Sequence, residues 1–66
     1  MAEKLYDVVV CDDANGKIVA VIGHNLNERQ MEKRIDTGLM RVDTSRFFVK
    51  EVPAGQGKVD PLYLKN

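Results

Sequence analysis

Gly23-His24-Asn25-Leu26-Asn27-Glu28-Arg29 sets a histidine beside two amides, just ahead of Lys33 and Arg34. Histidine titrates in the physiological range, so acid–base catalysis and metal ligation are the chemistries to test first. Either one needs company. A base needs a nucleophile within hydrogen-bond reach, and a zinc site needs about four N, S or O ligands. The chain holds 1 His and 1 Cys. Cys11 lies in the apolar run Val8-Val9-Val10-Cys11, whereas a reactive thiolate needs an exposed, electropositive setting. It reads as a core cysteine. His24 reads as the last residue of a strand, with Tyr6 or Asp7 across from it.

Two further clusters invite chemistry and fail its spacing. Asp12, Asp13 and Asn15 gather oxygen ligands, but a calcium loop needs a distal glutamate, and His24 stands at that position. They read as turn formers. Gly55-Gln56-Gly57-Lys58 lacks the P-loop's earlier glycine, with Val52 in its place, and its Ser or Thr after the lysine, with Val59 there. No catalytic, cofactor-binding or metal-ligating residue is assigned, and the chain is expected not to be an enzyme.

Basic residues give a second chemistry. Arg29, Lys33 and Arg34 lie away from the apolar stripe of a helix, with Arg41 joining if the helix continues. Arg46, Phe48 and Lys50 interleave on one side of a strand, as in platforms that stack single-stranded nucleic acid. Against this, 10 basic residues cancel 10 acidic ones, which removes the general electrostatic pull toward nucleic acid or an anionic membrane.

The elements that position these residues are legible. Leu5–Asp12 and Lys17–His24 are β-branched runs of strand length around Asn15-Gly16, a strong hairpin signal. A two-residue turn on Asn15-Gly16 and a three-residue loop Ala14–Gly16 both fit, and they differ by one in register. Asn27 and Gln30 form a capping box, Leu26 and Met31 are placed for a hydrophobic staple, and Glu28 suits the helix dipole. Met31, Ile35 and Leu39 make a buried stripe at four-residue spacing. The helix is expected to end between Thr37 and Met40, with Gly38 as a left-handed cap, or to run through to about Arg41. Arg46–Val52 is a third strand, stopped by Pro53. Residues 1–58 thus form one small α+β domain of ββαβ(β) order. An antiparallel three-stranded sheet in the order 2-1-3 carries the helix on one face. Residues 59–66 are a C-terminal tail or a short edge strand.

Alternation makes both faces of that sheet largely apolar. Leu5, Val9 and Cys11 share one side of the first strand; Tyr6, Val8 and Val10 share the other. One helix covers one face. An apolar face left in water marks an interface, to be covered by a second copy, by another partner, or by Pro61-Leu62-Tyr63-Leu64. The candidate interface is Tyr6, Val8, Val10, Val19, Val21 and Phe48. Size points the same way, since below about 70–80 residues one core rarely supplies more than ~3–5 kcal/mol and association is a common remedy. The expected function is therefore a small interaction module, dimeric through its open face and engaging a protein. Nucleic-acid binding through Arg29, Lys33, Arg34, Arg41, Arg46 and Lys50 is the alternative. The single cysteine, the absence of a signal-like start in the first ten residues and the lack of any apolar run near the ~20 residues that span a bilayer suggest a soluble, cytoplasmic protein.

Overall fold

The computed structural model describes residues 3–64. The last two positions of the expected tail, and the first two residues of the chain, lie outside the described residues. The elements run β1 (Tyr6–Asp12), β2 (Ile18–Leu26), α1 (Glu28–Arg41) and β3 (Phe47–Pro53), followed by a single 3₁₀ turn, Pro61–Tyr63. Both β2 and β3 pair antiparallel with β1, giving the order β2-β1-β3. The valine run sits in the centre, where a strand buried on both faces belongs.

The hairpin turn departs from both expected types. The Asp12 N–H donates to the Lys17 carbonyl (2.9 Å) and the Gly16 N–H to the Asp12 carbonyl (2.7 Å). The loop is thus four residues long, 13–16. Gly16 takes the positive φ of +72°, but Asn15 does not. Side chains explain the longer loop. Asp12 Oδ1 accepts the Ala14 N–H at 2.9 Å and Asn15 Oδ1 accepts the Lys17 N–H at 2.8 Å. These local acceptors stabilise the turn without a second left-handed residue.

The helix start is as expected. The Gln30 N–H donates to Asn27 Oδ1 (2.8 Å), and the Asn27 N–H to Gln30 Oε1 (3.1 Å). The helix end is not where the first expectation put it. Gly38 is buried inside the helix, which runs to Arg41. A Cβ on Gly38 would stand 2.8 Å from Ile22 Cδ1 and 3.3 Å from Val49. This glycine therefore lets helix and sheet approach; it does not terminate anything. The stripe also drifts. Four-residue steps overshoot a 3.6-residue turn by about 40° each, so Met31 is buried while Leu39 is 44% exposed, and Gly38 takes its place against the sheet.

The helix covers the face of β1 that carries Val8 and Val10, with Ile22 and Val49 beside them. The opposite face is not open. From Pro53 the chain turns back, and Gly57 packs on Asp7. The Asp60 N–H then donates to the Ile18 carbonyl (2.9 Å) on β2, and the Tyr63 hydroxyl donates to Asp12 Oδ2 (2.8 Å) while accepting from Asn15 Nδ2 (2.8 Å). This path crosses Val9 and Cys11, both 0% exposed. Residues 59–64 form no strand; Asp60 caps the 3₁₀ turn through the Leu62 N–H (3.0 Å). The chain's own C-terminal segment is present on this face, but not as expected: Gly57, Asp60 and Tyr63 make the contacts, whereas Leu62 and Leu64 of the expected cover are 63% and 59% exposed.

Candidate functional site

Asp7 is the one buried charged residue among the described residues, at 1% exposed. An isolated carboxylate cannot be buried cheaply, so its partners must be accounted for. Oδ1 accepts the Asn25 N–H at 3.0 Å, and Oδ2 accepts the N–H groups of Gly55 and Gly57, each at 3.0 Å. The Asn25 bond lowers its pKa below the usual carboxylate value. Burial opposes this, and Gly57, Gly55 and the nearby His24 lower it further. The backbone serves the same three bonds. Gly55 holds φ +93°, and a Cβ on Gly57 would meet Asp7 Cβ at 2.6 Å. The Gly55-Gln56-Gly57 stretch thus presents its amides to an anion that the chain itself supplies. Asn25 adopts φ +52° as β2 bends toward the helix cap.

His24 Nδ1 lies 3.7 Å from Asp7 Oδ2, and the imidazole is 65% exposed. Of the two partners expected across the hairpin, Asp7 is the one it meets. Among the described residues no hydroxyl or thiol hydrogen-bonds to either member of the pair. Cys11 is buried, and that burial pushes its thiol pKa up, Lys50 partly opposing. Among the described residues no three His, Cys, Asp or Glu side chains are grouped to hold a metal.

The candidate interface residues do not form one patch. Tyr6, Val8 and Val10 lie on the helix side, where Val8 is 0% and Val10 is 5% exposed. Phe48, opposite Cys11, lies on the side crossed by the C-terminal segment. Val19 and Val21 are half-buried. The reason is the β1–β3 register, which is continuous from Tyr6↔Pro53 to Asp12↔Phe47 and fixes Val10 with Val49 and Cys11 with Phe48.

The basic residues are divided too. Arg34 donates from Nη1 to the Ile22 carbonyl at 2.7 Å, and Arg34 and Arg41 line a shallow depression of about 140 Å³ on the β2 side. Arg29 and Lys33 are exposed on the helix. Lys50 lies across the sheet from the helix, 6.0 Å from the Phe48 ring. Arg46 stands over Phe47 at 5.9 Å.

What remains open is an edge. At one end of the β1–β3 ladder the Asp13 N–H donates to the Arg46 carbonyl (3.0 Å); at the other the Ala54 N–H donates to the Leu5 carbonyl (3.1 Å). Facing residues of an antiparallel pair alternate between bonded and unbonded. Phe48, Lys50 and Val52 therefore turn their backbone groups toward β1, and Phe47, Val49 and Glu51 turn theirs outward. The Phe47 N–H is taken by the Asp43 carbonyl (2.9 Å), and the Pro53 carbonyl by the Gln56 N–H (3.0 Å). The N–H groups of Val49 and Glu51, and the carbonyls of Phe47, Val49 and Glu51, have no partner among the described residues.

The β2 edge differs. Its Ile18 and Ile22 carbonyls are occupied by Asp60 and Arg34, and its pairing with β1 is irregular at three places. Bulges and covering groups of this kind guard an edge against further pairing.

Beside the β3 edge, an open cleft of about 440 Å³ separates α1 from the sheet. Tyr6, Met31 and Ile35 supply its apolar lining, and Glu28, Glu32, Asp36 and Glu51 its charge. Among the described residues no lysine or arginine lines it. The helix is thus polarised, acidic toward β3 and basic toward β2.

No helix among the described residues is long and apolar enough to cross a membrane. No family model matches the chain, and no curated protein and no solved structure is similar to it.

Proposed function

We propose that this protein is a non-enzymatic interaction module that binds a protein partner by accepting an extended segment of it as a fourth strand along β3. The observation that carries this reading is the asymmetry of the two edges. The edge of β2 is occupied and bulged, while that of β3 offers two donors and three acceptors in register over residues 47–51. Strand addition draws affinity from such main-chain groups and specificity from alternate side chains. Five residues of edge present about 17 Å of backbone. Self-association through the sheet face is a weaker reading, because it requires the C-terminal segment to leave Val9 and Cys11.

A displayed library of random heptapeptides, selected on the immobilised protein, tests this. Selected peptides are expected to slow amide hydrogen exchange at Val49 and Glu51. They are also expected to lose binding to Glu51→Pro. Proline at 51 removes an outward N–H and no bond of the β1 ladder, so the fold tolerates it as edge strands do. Peptides that bind Glu51→Pro as tightly as the parent, or that protect other amides only, would overturn the reading.

A further inference from the structure

We infer that the segment accepted by β3 is cationic, with lysine or arginine at alternate positions; the inference rests on the strand-addition reading above. Every second side chain of a strand added to β3 would point to the helix side of the sheet. There it meets Glu51, and beyond Glu51 the flank of α1 that carries Glu28, Glu32 and Asp36. Among the described residues none of these four carboxylates has a basic nitrogen within 4.0 Å. Four negative charges without counterions, beside an edge without a partner, fit an occupant that brings both a backbone and positive charge. The apolar lining of Tyr6, Met31 and Ile35 suits the methylene stems of long basic side chains.

The same charges disfavour a second copy. Pairing two β3 edges about a two-fold axis places both helices on one side of the joined sheet. Their adjacent flanks would then be the two acidic ones, and like charges brought together repel. Anionic polymers meet the same repulsion at this cleft. The opposite arrangement, β3 of one copy on β2 of the next, meets an edge already closed by Asp60 and Arg34.

Three capped heptapeptides of one alternating pattern test the inference, with lysine, glutamine or glutamate at the second, fourth and sixth positions and threonine elsewhere. Each is titrated into the ¹⁵N-labelled protein, and into the variant Glu32→Gln/Asp36→Asn, whose exposed positions leave the fold readable from its amide spectrum. The lysine peptide is expected to bind best, to protect the Val49 and Glu51 amides, and to weaken about tenfold in the variant. It should weaken again at high salt. If the glutamine peptide protects those amides as well as the lysine peptide does, strand addition stands and the charge inference falls. Binding of the lysine peptide without protection of Val49 and Glu51 overturns both. Protection of these amides that grows with protein concentration alone means that a second copy takes the edge, and it overturns the inference.

Discussion

Replacing Asp7 by asparagine removes one charge and turns one acceptor into a donor, with almost no change of shape. The native carboxylate accepts three N–H groups, one on Oδ1 and two on Oδ2. An amide satisfies one side only. With its oxygen toward Asn25, its NH₂ faces the donors of Gly55 and Gly57; flipped, it faces Asn25. Bonds to a charged acceptor contribute about 1.5–3 kcal/mol each, and a buried N–H left unpaired costs about 1–3 kcal/mol. The Gly57 amide is the buried one of the three, and the other two can regain water. A net loss of about 2–4 kcal/mol follows, most of what one core of this size supplies. In a domain this small it corresponds to a drop in melting temperature of about 10–30 °C.

The dependence on pH carries the sharper test. Asp7 is depressed in the folded state, so its contribution is complete above the unfolded carboxylate value near 3.9. It is lost as pH falls through the lower folded value. The parent should therefore melt far above Asp7→Asn at neutral pH, with the two curves converging in acid. Asp12 and Asp43 are depressed as well, Asp12 by Ala14 and Tyr63 and Asp43 by Ser45, and they are common to both proteins, so the difference isolates Asp7. Differential scanning fluorimetry from pH 2 to 7 reads the difference directly. A gap that is absent at pH 7, or that stays constant into acid, would refute the role given to Asp7.

Asn27→Ala should lose about 0.5–2 kcal/mol in a denaturant melt, since both bonds of the capping box pass through Asn27. His24→Ala should lose less than Asn27→Ala, because the imidazole is largely exposed. Ending the chain at Pro53 removes the Gly55 and Gly57 donors and uncovers Cys11. The thiol, unreactive toward an aromatic disulfide reagent in the native protein, should then react at the rate of a free cysteine, and sedimentation should show self-association. An unreactive thiol in a monomeric truncated chain would show that the segment does not cover the sheet.

Local chemistry was the most legible part of this sequence. The capping box spans four residues, and nothing distant competes with it. The strand order followed from a hairpin, one helix and a valine run that only a central position can bury. The turn was less legible because the side chains of Asp12 and Asn15 competed with the backbone pattern that Asn15-Gly16 favours. Asp7 was legible only as a neighbour of His24; its burial and its three donors were not. Its partners Gly55 and Gly57 lie 48 and 50 positions away, and no periodicity links an acid in β1 to a loop after β3. A signal existed nonetheless. A carboxylate next to a central valine run must find donors, and a stretch with two glycines offers exposed amides that no P-loop claimed.

The alternation of the strands was sound, and its consequence moved. Two apolar faces and one helix do require a second cover, and the shortest route to one is the chain itself, already tethered at Pro53. An intramolecular cover costs only the ordering of about ten residues, whereas a partner must also lose its translational freedom. Asp7 offsets part of that ordering by accepting two of the segment's amides, and the apolar surface covered must supply the rest. With the centre of both faces covered, the unmet hydrogen-bonding demand of the sheet lies at its edges. The same segment then distinguishes the edges, since Asp60 closes part of β2 and nothing among the described residues returns to β3. The segment that crosses the sheet opposite α1 thus leaves the outward backbone groups of β3 without a partner among the described residues, with the acidic flank of α1 beside them.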